Sequence, residues 1–263
     1  MLSVLKIGGS VLQDDACYAA VARYLAGRVA EHPDERLVVI VSARYGVTDE
    51  LLDAARRAAG DPDPVALDLL WSTGEVASVA TLALYLQREQ VRAVPFNVHQ
   101  TGLHVGEAPS RAGVATVRPL RLLAAIASAP IVVVPGFLAV GAGGTIASLG
   151  RGGSDLTAVL LAIALEADGC ELVKDVAGYF TADPHVDPNA HHIQTLTIDR
   201  AIAMAAEGCD LVQAAALDAA RGASLPITVR CLDAAAPVTY VQPRSSAHGI
   251  RHENDSRRAA VGA

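Results

Sequence analysis

The sequence predicts an α/β protein, a three-layer α/β/α sandwich around a mostly parallel central sheet. Three observations carry this. Short runs rich in Leu, Val and Ile alternate with Ala/Leu-rich stretches of helical length along the 263 residues. The strand-like runs are apolar at every position rather than at every second one, which suits parallel strands covered by helices on both faces. Hydrophobic residues make up 52% of the chain and aromatic ones only 4%, so the core has to be aliphatic and layered.

The elements follow in order. Ser3 to Ile7 reads as a strand with Lys6 inside it, followed by a helix from about Ala16 to Ala30. Leu37 to Val41, made only of Leu, Val and Ile, reads as a buried strand. A long helix from about Val65 to Gln87 precedes strands at Ala93 to Phe96 and Ile131 to Val134, the second ended by the turn signal Pro135-Gly136. After a glycine-rich loop come a helix (Leu156 to Leu165), a strand (Cys170 to Lys174), a helix (Ile198 to Ala206) and a last strand (Ile227 to Arg230). No internal repeat or low-complexity linker divides the chain, so residues 1–243 read as one domain. Residues 244–263, with Arg257 and Arg258, are polar, charged and aperiodic and read as a loose tail.

Composition narrows the partners. Lys plus Arg is 21 against 28 Asp plus Glu, a net charge of −7, which disfavours nucleic acid. Cys17, Cys170, Cys209 and Cys231 form no Cys-x-x-Cys pair, so neither a zinc site nor a disulfide framework is indicated and a reducing cytoplasm is expected. The first residues run straight into a strand, so no signal peptide is expected. The apolar stretches are broken by charge or glycine short of the roughly 20 residues a span needs, so no membrane partner is expected.

In open parallel sheets, ligands bind beyond the carboxyl ends of the strands. The residues found there are unusual. Ser148-Leu149-Gly150-Arg151-Gly152-Gly153-Ser154-Asp155 places three glycines, a cation, a hydroxyl and a carboxylate before a helix, a composition suited to a phosphate or carboxylate or to a plain turn. Lys6-Ile7-Gly8-Gly9-Ser10 puts a mobile point charge at a strand-to-helix turn. In Ser42 to Asp49 the hydroxyls and Arg44 could hold a carboxylate, though Thr48-Asp49-Glu50 also reads as an ordinary helix N-cap. Glu75, in Ser72-Thr73-Gly74-Glu75, could bind an ammonium group or face solvent. Lys174-Asp175, followed by Tyr179 and Asp183, offers contacts for a sugar or base. Two lysines and an aspartate beside bound phosphates are what phosphoryl transfer needs. The chain has no G-x-x-x-x-G-K-[ST] loop, no protein-kinase loop set and no Rossmann fingerprint.

Together these segments, with Gln100-Thr101-Gly102, Gly136-Phe137 and Thr181-Ala182-Asp183-Pro184, resemble the amino-acid kinase family and, within it, the catalytic domain of aspartokinases, over Leu2 to about Val241. The resemblance implies the amino-acid kinase fold, with an N-terminal substrate lobe at about 1–147 and a nucleotide lobe at about 148–243. It implies transfer of the ATP γ-phosphoryl group to the carboxylate of aspartate or a close acidic amino acid, with Mg²⁺ bound through ATP rather than by the protein. Lys6, Asp155 and Lys174 would be catalytic. Ser42, Arg44, Thr48, Glu75, Arg151 and Ser154 would hold the amino acid, Arg151 on a carboxylate and Glu75 on the ammonium. Gly8, Gly9, Ser10, Lys174, Asp175, Tyr179 and Asp183 would bind nucleotide. A homodimer is implied as well.

The chain departs from that pattern in three places. Aspartokinases usually open Lys-Phe-Gly-Gly-Thr-Ser, where Lys6-Ile7-Gly8-Gly9-Ser10-Val11 stands here. The family's Gly-Ala-Lys-Val-Leu-His-Pro element reads Gly208-Cys209-Asp210-Leu211-Val212-Gln213-Ala214, an anion in place of the lysine that contacts ATP phosphates, and Lys174 is the cation placed to take over. The regulatory ACT domains have no counterpart, so feedback inhibition by lysine or threonine is not expected. Two other readings stay open at this point: a kinase for a different small acid, prompted by Arg44, and a non-catalytic nucleotide-binding partner subunit, prompted by Asp210.

Overall fold

A computed structural model describes residues 1–106, 116–184, 186–209 and 211–243. Asp210 and residues 244–263, Arg257 and Arg258 among them, lie outside the described residues. In chain order the elements are β1 (Leu2–Ile7), α1 (Asp15–Glu31), β2 (Arg36–Val41), α2 (Val47–Ala59), α3 (Pro64–Arg88), β3 (Ala93–Pro95), β4 (Leu103–His104), β5 (Thr116–Val117), α4 (Leu120–Ser128), β6 (Ile131–Pro135), β7 (Leu138–Val140), β8 (Ile146–Ser148), α5 (Gly153–Ala164), β9 (Gly169–Val173), β10 (Thr195–Thr197), α6 (Ile198–Ala206), α7 (Ala214–Ala223), β11 (Ile227–Arg230) and β12 (Thr239–Gln242).

Eight of these strands form one sheet in the order β10-β12-β11-β9-β1-β2-β6-β3, parallel at every pairing except β11 with β12. The uninterrupted apolar runs explain the layers. In β1 and β2 alternate residues face opposite sides: Val4, Val38 and Ile40 pack on the side of α4 and α5, while Leu5, Ile7, Val39 and Val41 pack on the side of α1 and α3. Each fully buried Leu, Ile or Val contributes roughly 1.5–3 kcal/mol, so the strands are held from both faces.

The register sets the working edge. Ile7 pairs with both Val41 and Val173, and Val41 pairs with Pro135. Four neighbouring strands therefore end level, and the residues that follow them, Gly8, Ser42, Gly136 and Lys174, are brought together at one rim.

Some elements escaped the sequence pattern. The second sheet, β5-β4-β7-β8, is built from strands of two or three residues, too short to show a period. Helices α2, α4 and α7 were not foreseen in extent. Helix α2 starts at Val47, capped by Gly46 in the left-handed conformation (φ 83°), so Thr48 lies in its first turn rather than at its cap. Asp49 and Glu50 in that turn still complement the helix dipole.

The expectation that no apolar stretch reaches the length of a membrane span is also corrected. Helix α3 has 25 residues and is long and apolar enough to cross a membrane by length and composition alone. Gly74 and Glu75, the apparent interruptions, are both buried. The helix packs on α1, α2, β6 and β8.

Candidate active site

The floor of the site is a buried ladder of three charges. Lys6 Nζ lies 2.9 Å from Asp155 Oδ1, and Lys174 Nζ lies 2.8 Å from Asp155 Oδ2. Lys6 comes from β1, Lys174 from the residue after β9, and Asp155 from the first turn of α5, where the helix dipole favours an anion. Burial pushes the Asp155 carboxyl up, but the two ammonium groups outweigh it and hold the group below the usual carboxylate range. Burial and repulsion by Lys6 push Lys174 down to about 8, against the pull of Asp155. The ladder carries a net positive charge that one carboxylate does not cancel, so it favours an incoming anion.

Above this floor opens a cleft of about 540 Å³. One wall is the loop into α5. Gly152 sits at φ 74°, and a Cβ there would lie 1.7 Å from Gln213 Cγ, so only glycine lets Gln213 close over the loop. Gly136 is constrained likewise, since a Cβ would meet Ser154 Cβ at 2.7 Å. Ser154 in turn accepts a 3.0 Å hydrogen bond from Ser42 Oγ, joining α5 to the end of β2. Phe137 sits in the left-handed region at φ 68°, a conformation costing a bulky residue on the order of 1 kcal/mol. It is held there by Leu149 N–H donating to its carbonyl at 2.7 Å and by an edge contact with Trp71, 5.6 Å between ring centres.

The opposite wall holds Glu75, 5% exposed, with Oε2 lacking a hydrogen-bond partner. Burial pushes its carboxyl up to about 8, offset in part by the Ala43 backbone and the Lys6 charge. A buried carboxyl oxygen without a partner leaves a hydrogen-bonding position open toward the cleft.

The structure brings eight of the anticipated residues to this cleft: Lys6, Ser42, Thr48, Glu75, Arg151, Ser154, Asp155 and Lys174. It places others elsewhere. Arg44 is exposed and donates from Nε to the Gln13 carbonyl at 2.8 Å, outside the cleft lining, because its loop turns outward before α2. Arg44→Ala is accordingly expected to leave kcat and the acceptor KM within about twofold, the range of a surface substitution, as steady-state kinetics would check.

Gly8 donates its N–H to the Val173 carbonyl at 3.2 Å, tying the end of β1 to β9. Gly9 and Ser10 form a tight 3₁₀ turn, and a Cβ on Gly9 would stand 3.0 Å from the Ala43 carbonyl. Asp175 is exposed and lines neither this cleft nor the next.

Tyr179 and Asp183 line a separate cavity of about 470 Å³ with Phe180, Arg200, Met204 and Cys209. The Tyr179 hydroxyl is buried without a hydrogen-bond partner, and burial pushes it up.

The sequence reading gave no site role to Trp71 or Gln213, which line the cleft, and read Asp49, also in the lining, only as part of a helix start. Trp71 was findable, since it is the chain's one tryptophan and precedes Glu75 by four residues, hence on the same helix face.

A buried two-lysine, one-aspartate ladder at the carboxyl rim of a parallel sheet, beside a glycine-rich helix start, is the frame of an anion-binding site. The chain belongs to the amino acid kinase family, whose family model matches residues 1–231. It is 36% identical to the aspartokinase of Mycolicibacterium smegmatis over 99% of this chain and 63% of that protein. It is 35% identical to the aspartokinase of Geobacillus stearothermophilus over 79% of this chain and 52% of that protein, so it spans a little over half the length of these relatives.

Solved structures agree. The aspartate kinase from Synechocystis superposes with a TM-score of 0.82 at 35% identity, covering 92% of this chain and 40% of that one. Aspartokinase III of E. coli, in complex with aspartate and ADP, gives 0.77 at 25% identity over 93% of this chain and 66% of that one. Uridylate kinase from Archaeoglobus fulgidus, at 17% identity and a TM-score of 0.66, shares the fold.

Proposed function

We propose that this chain is an ATP-dependent kinase that transfers the γ-phosphoryl group to the side-chain carboxylate of aspartate, giving an acyl phosphate and ADP. The observation that carries this is the Lys6–Asp155–Lys174 ladder facing Glu75 and Arg151 across one cleft. The likeness to an aspartokinase solved with aspartate and ADP supports the choice of acceptor and nucleotide.

The chemistry follows from the charges. A carboxylate acceptor is ionised at neutral pH, so its oxygen attacks phosphorus without a general base, and the bond to the ADP oxygen breaks as the new one forms. What the site has to supply is placement and positive charge for the transferred group. Lys6 and Lys174 supply that charge, and Asp155 fixes both ammonium groups so that little reorganisation is needed. Arg151 holds the α-carboxylate and Glu75 the ammonium. Ser42, Thr48 and Ser154 contribute hydroxyls. Tyr179 and Asp183 line the cavity assigned to the base and sugar.

Mg²⁺ is proposed to enter with ATP. Among the described residues no group of three His, Cys, Asp or Glu side chains is gathered, and both Asp155 oxygens face lysines. Bound to the phosphates, the ion would offset their charge. A cytoplasmic homodimer completes the reading, and the four free cysteines fit a reducing setting.

The alternatives fare less well. Arg44, which prompted a different acceptor, does not line the cleft. A coupled assay of ADP release over a panel of acidic amino acids is expected to show turnover with aspartate above glutamate and N-acetylated analogues. Turnover with no member of the panel would refute the kinase, and a preference for another acid would move the assignment to that acid.

A further inference from the structure

Gln213 enters the cleft from the start of α7 and has no part in the charge ladder. It occupies the N-cap position, where Asn, Asp, Ser and Thr are the side chains that fold back to cap a helix, yet its own makes no capping bond. Among the described residues its carboxamide has no hydrogen-bond partner. What holds the side chain is α5. Gly152, the N-cap of that helix, has no Cβ, and the Cβ, Cγ and Cδ atoms of Gln213 lie across the space where one would stand. The stem is fixed against the glycine loop, and the half-buried residue keeps two N–H donors and a carbonyl for the cleft.

The course of the chain decides which part of a ligand these donors meet. Leu211, two residues earlier, lines the second cavity, so the chain crosses from that cavity to the cleft between 211 and 213. On the β9 side the same crossing is made between Lys174, in the cleft, and Val176, in the second cavity. The two cavities therefore adjoin along these two segments. A nucleotide with its base and sugar in the second cavity and its γ-phosphoryl group at Lys6 and Lys174 has its other phosphates at this junction, alongside Gln213. Both ammonium groups of the ladder are bound to Asp155 and serve the transferred group, so the phosphates that stay on ADP need a donor of their own.

We propose that Gln213 is a phosphate-binding residue of the nucleotide site, its carboxamide N–H donating to a β-phosphate oxygen that remains on ADP. This rests on the kinase reading and on its assignment of the second cavity to the base and sugar. A hydrogen bond from a fixed donor to a charged oxygen changes affinity by about tenfold or more. The contact is present before and after transfer, so it serves nucleotide affinity more than the rate of the chemical step.

Calorimetric titration of the full chain with MgADP and with adenosine, alongside thermal melts, tests this. Gln213→Ala is expected to weaken MgADP about tenfold and to leave adenosine unchanged. Gln213→Glu keeps the length of the side chain and its packing on Gly152 but puts an anionic oxygen in place of the donor, so it is expected to weaken MgADP more than Gln213→Ala does. Gln213→Lys, a long stem ending in donors, is expected to bind MgADP within about threefold of the wild type or tighter. In steady-state kinetics the ATP KM should follow the same order while the aspartate KM stays within about twofold.

A role confined to packing on Gly152 gives the reverse order, with the glutamate variant near the wild type and the alanine variant the weaker, and that order would overturn the proposal. Equal affinity of all four proteins for MgADP, or a matching loss of adenosine binding, would overturn it as well. If Gln213→Ala melts early, the glutamate and lysine variants, which keep the stem, decide. A raised aspartate KM with unchanged MgADP affinity would move Gln213 to the acceptor and leave the kinase reading standing. A wild-type chain that binds neither MgADP nor MgATP would overturn the nucleotide reading itself.

Discussion

Lys6→Ala and Asp155→Ala are each expected to lower kcat at least about 100-fold, the scale of losing one group that stabilises transition-state charge. The two variants should differ in stability. Removing Lys6 leaves Asp155 still paired with Lys174 at 2.8 Å, so the fold keeps a neutral pair. Removing Asp155 leaves two buried ammonium groups side by side without a counter-charge, and breaking a buried ion pair in this way costs about 3–5 kcal/mol. Turnover measurements with thermal melts therefore separate the roles: both variants lose activity, and only Asp155→Ala loses several degrees of melting temperature as well. Near-normal kcat in either variant would remove that residue from the mechanism.

Glu75→Gln is expected to stabilise the empty protein while abolishing tight binding of the acceptor. The Glu75 carboxyl is raised from its ordinary 4.5 to about 8 by burial. Between those values the folded protein holds a proton that the unfolded chain has released, so the stability of the wild-type protein falls as pH rises from about 4.5 towards 8. Glutamine has no such dependence. The melting temperature of the variant should exceed that of the wild type increasingly towards pH 8, by a free energy on the order of 4 to 5 kcal/mol.

Binding runs the other way. The substrate ammonium requires the carboxylate, so the wild-type acceptor KM should fall as pH climbs from 6 to 8, by up to about tenfold per unit. The glutamine variant should have a KM at least about tenfold higher and flat over that range. A variant with wild-type KM and pH profile would exclude Glu75 from the amino-acid site.

Much of the fold was legible because its strands are uninterrupted aliphatic runs, which parallel pairing under two helical layers requires. The segments Leu2–Ile7, Arg36–Val41 and Ile131–Pro135 match their expected positions to within a residue or two. The short strands of the second sheet were not legible, because two or three residues cannot display a period. Glu75 illustrates the limit for the site. Its position beside a glycine in an apolar helix allowed either a solvent-facing or a ligand-facing role, and only the packing of α2 and β2 against α3 makes it a buried, incompletely bonded carboxyl. Arg44 illustrates the reverse: an arginine in the right loop whose long side chain turns to Gln13.

The order of residues in the chain fixed which groups stand at the strand ends: Lys6, Ser42, Lys174 and the Gly150–Asp155 loop, each beside a glycine or at the close of an aliphatic run. Their convergence was a matter of three dimensions. Parallel pairing of β1 with both β2 and β9 sets those ends level, and the first turn of α5 then lowers one carboxylate between two lysines that are distant in sequence. Local pattern determines secondary structure through periods of two and 3.6 residues, but a shared charge between Lys6, Asp155 and Lys174 depends on distances that no local period encodes.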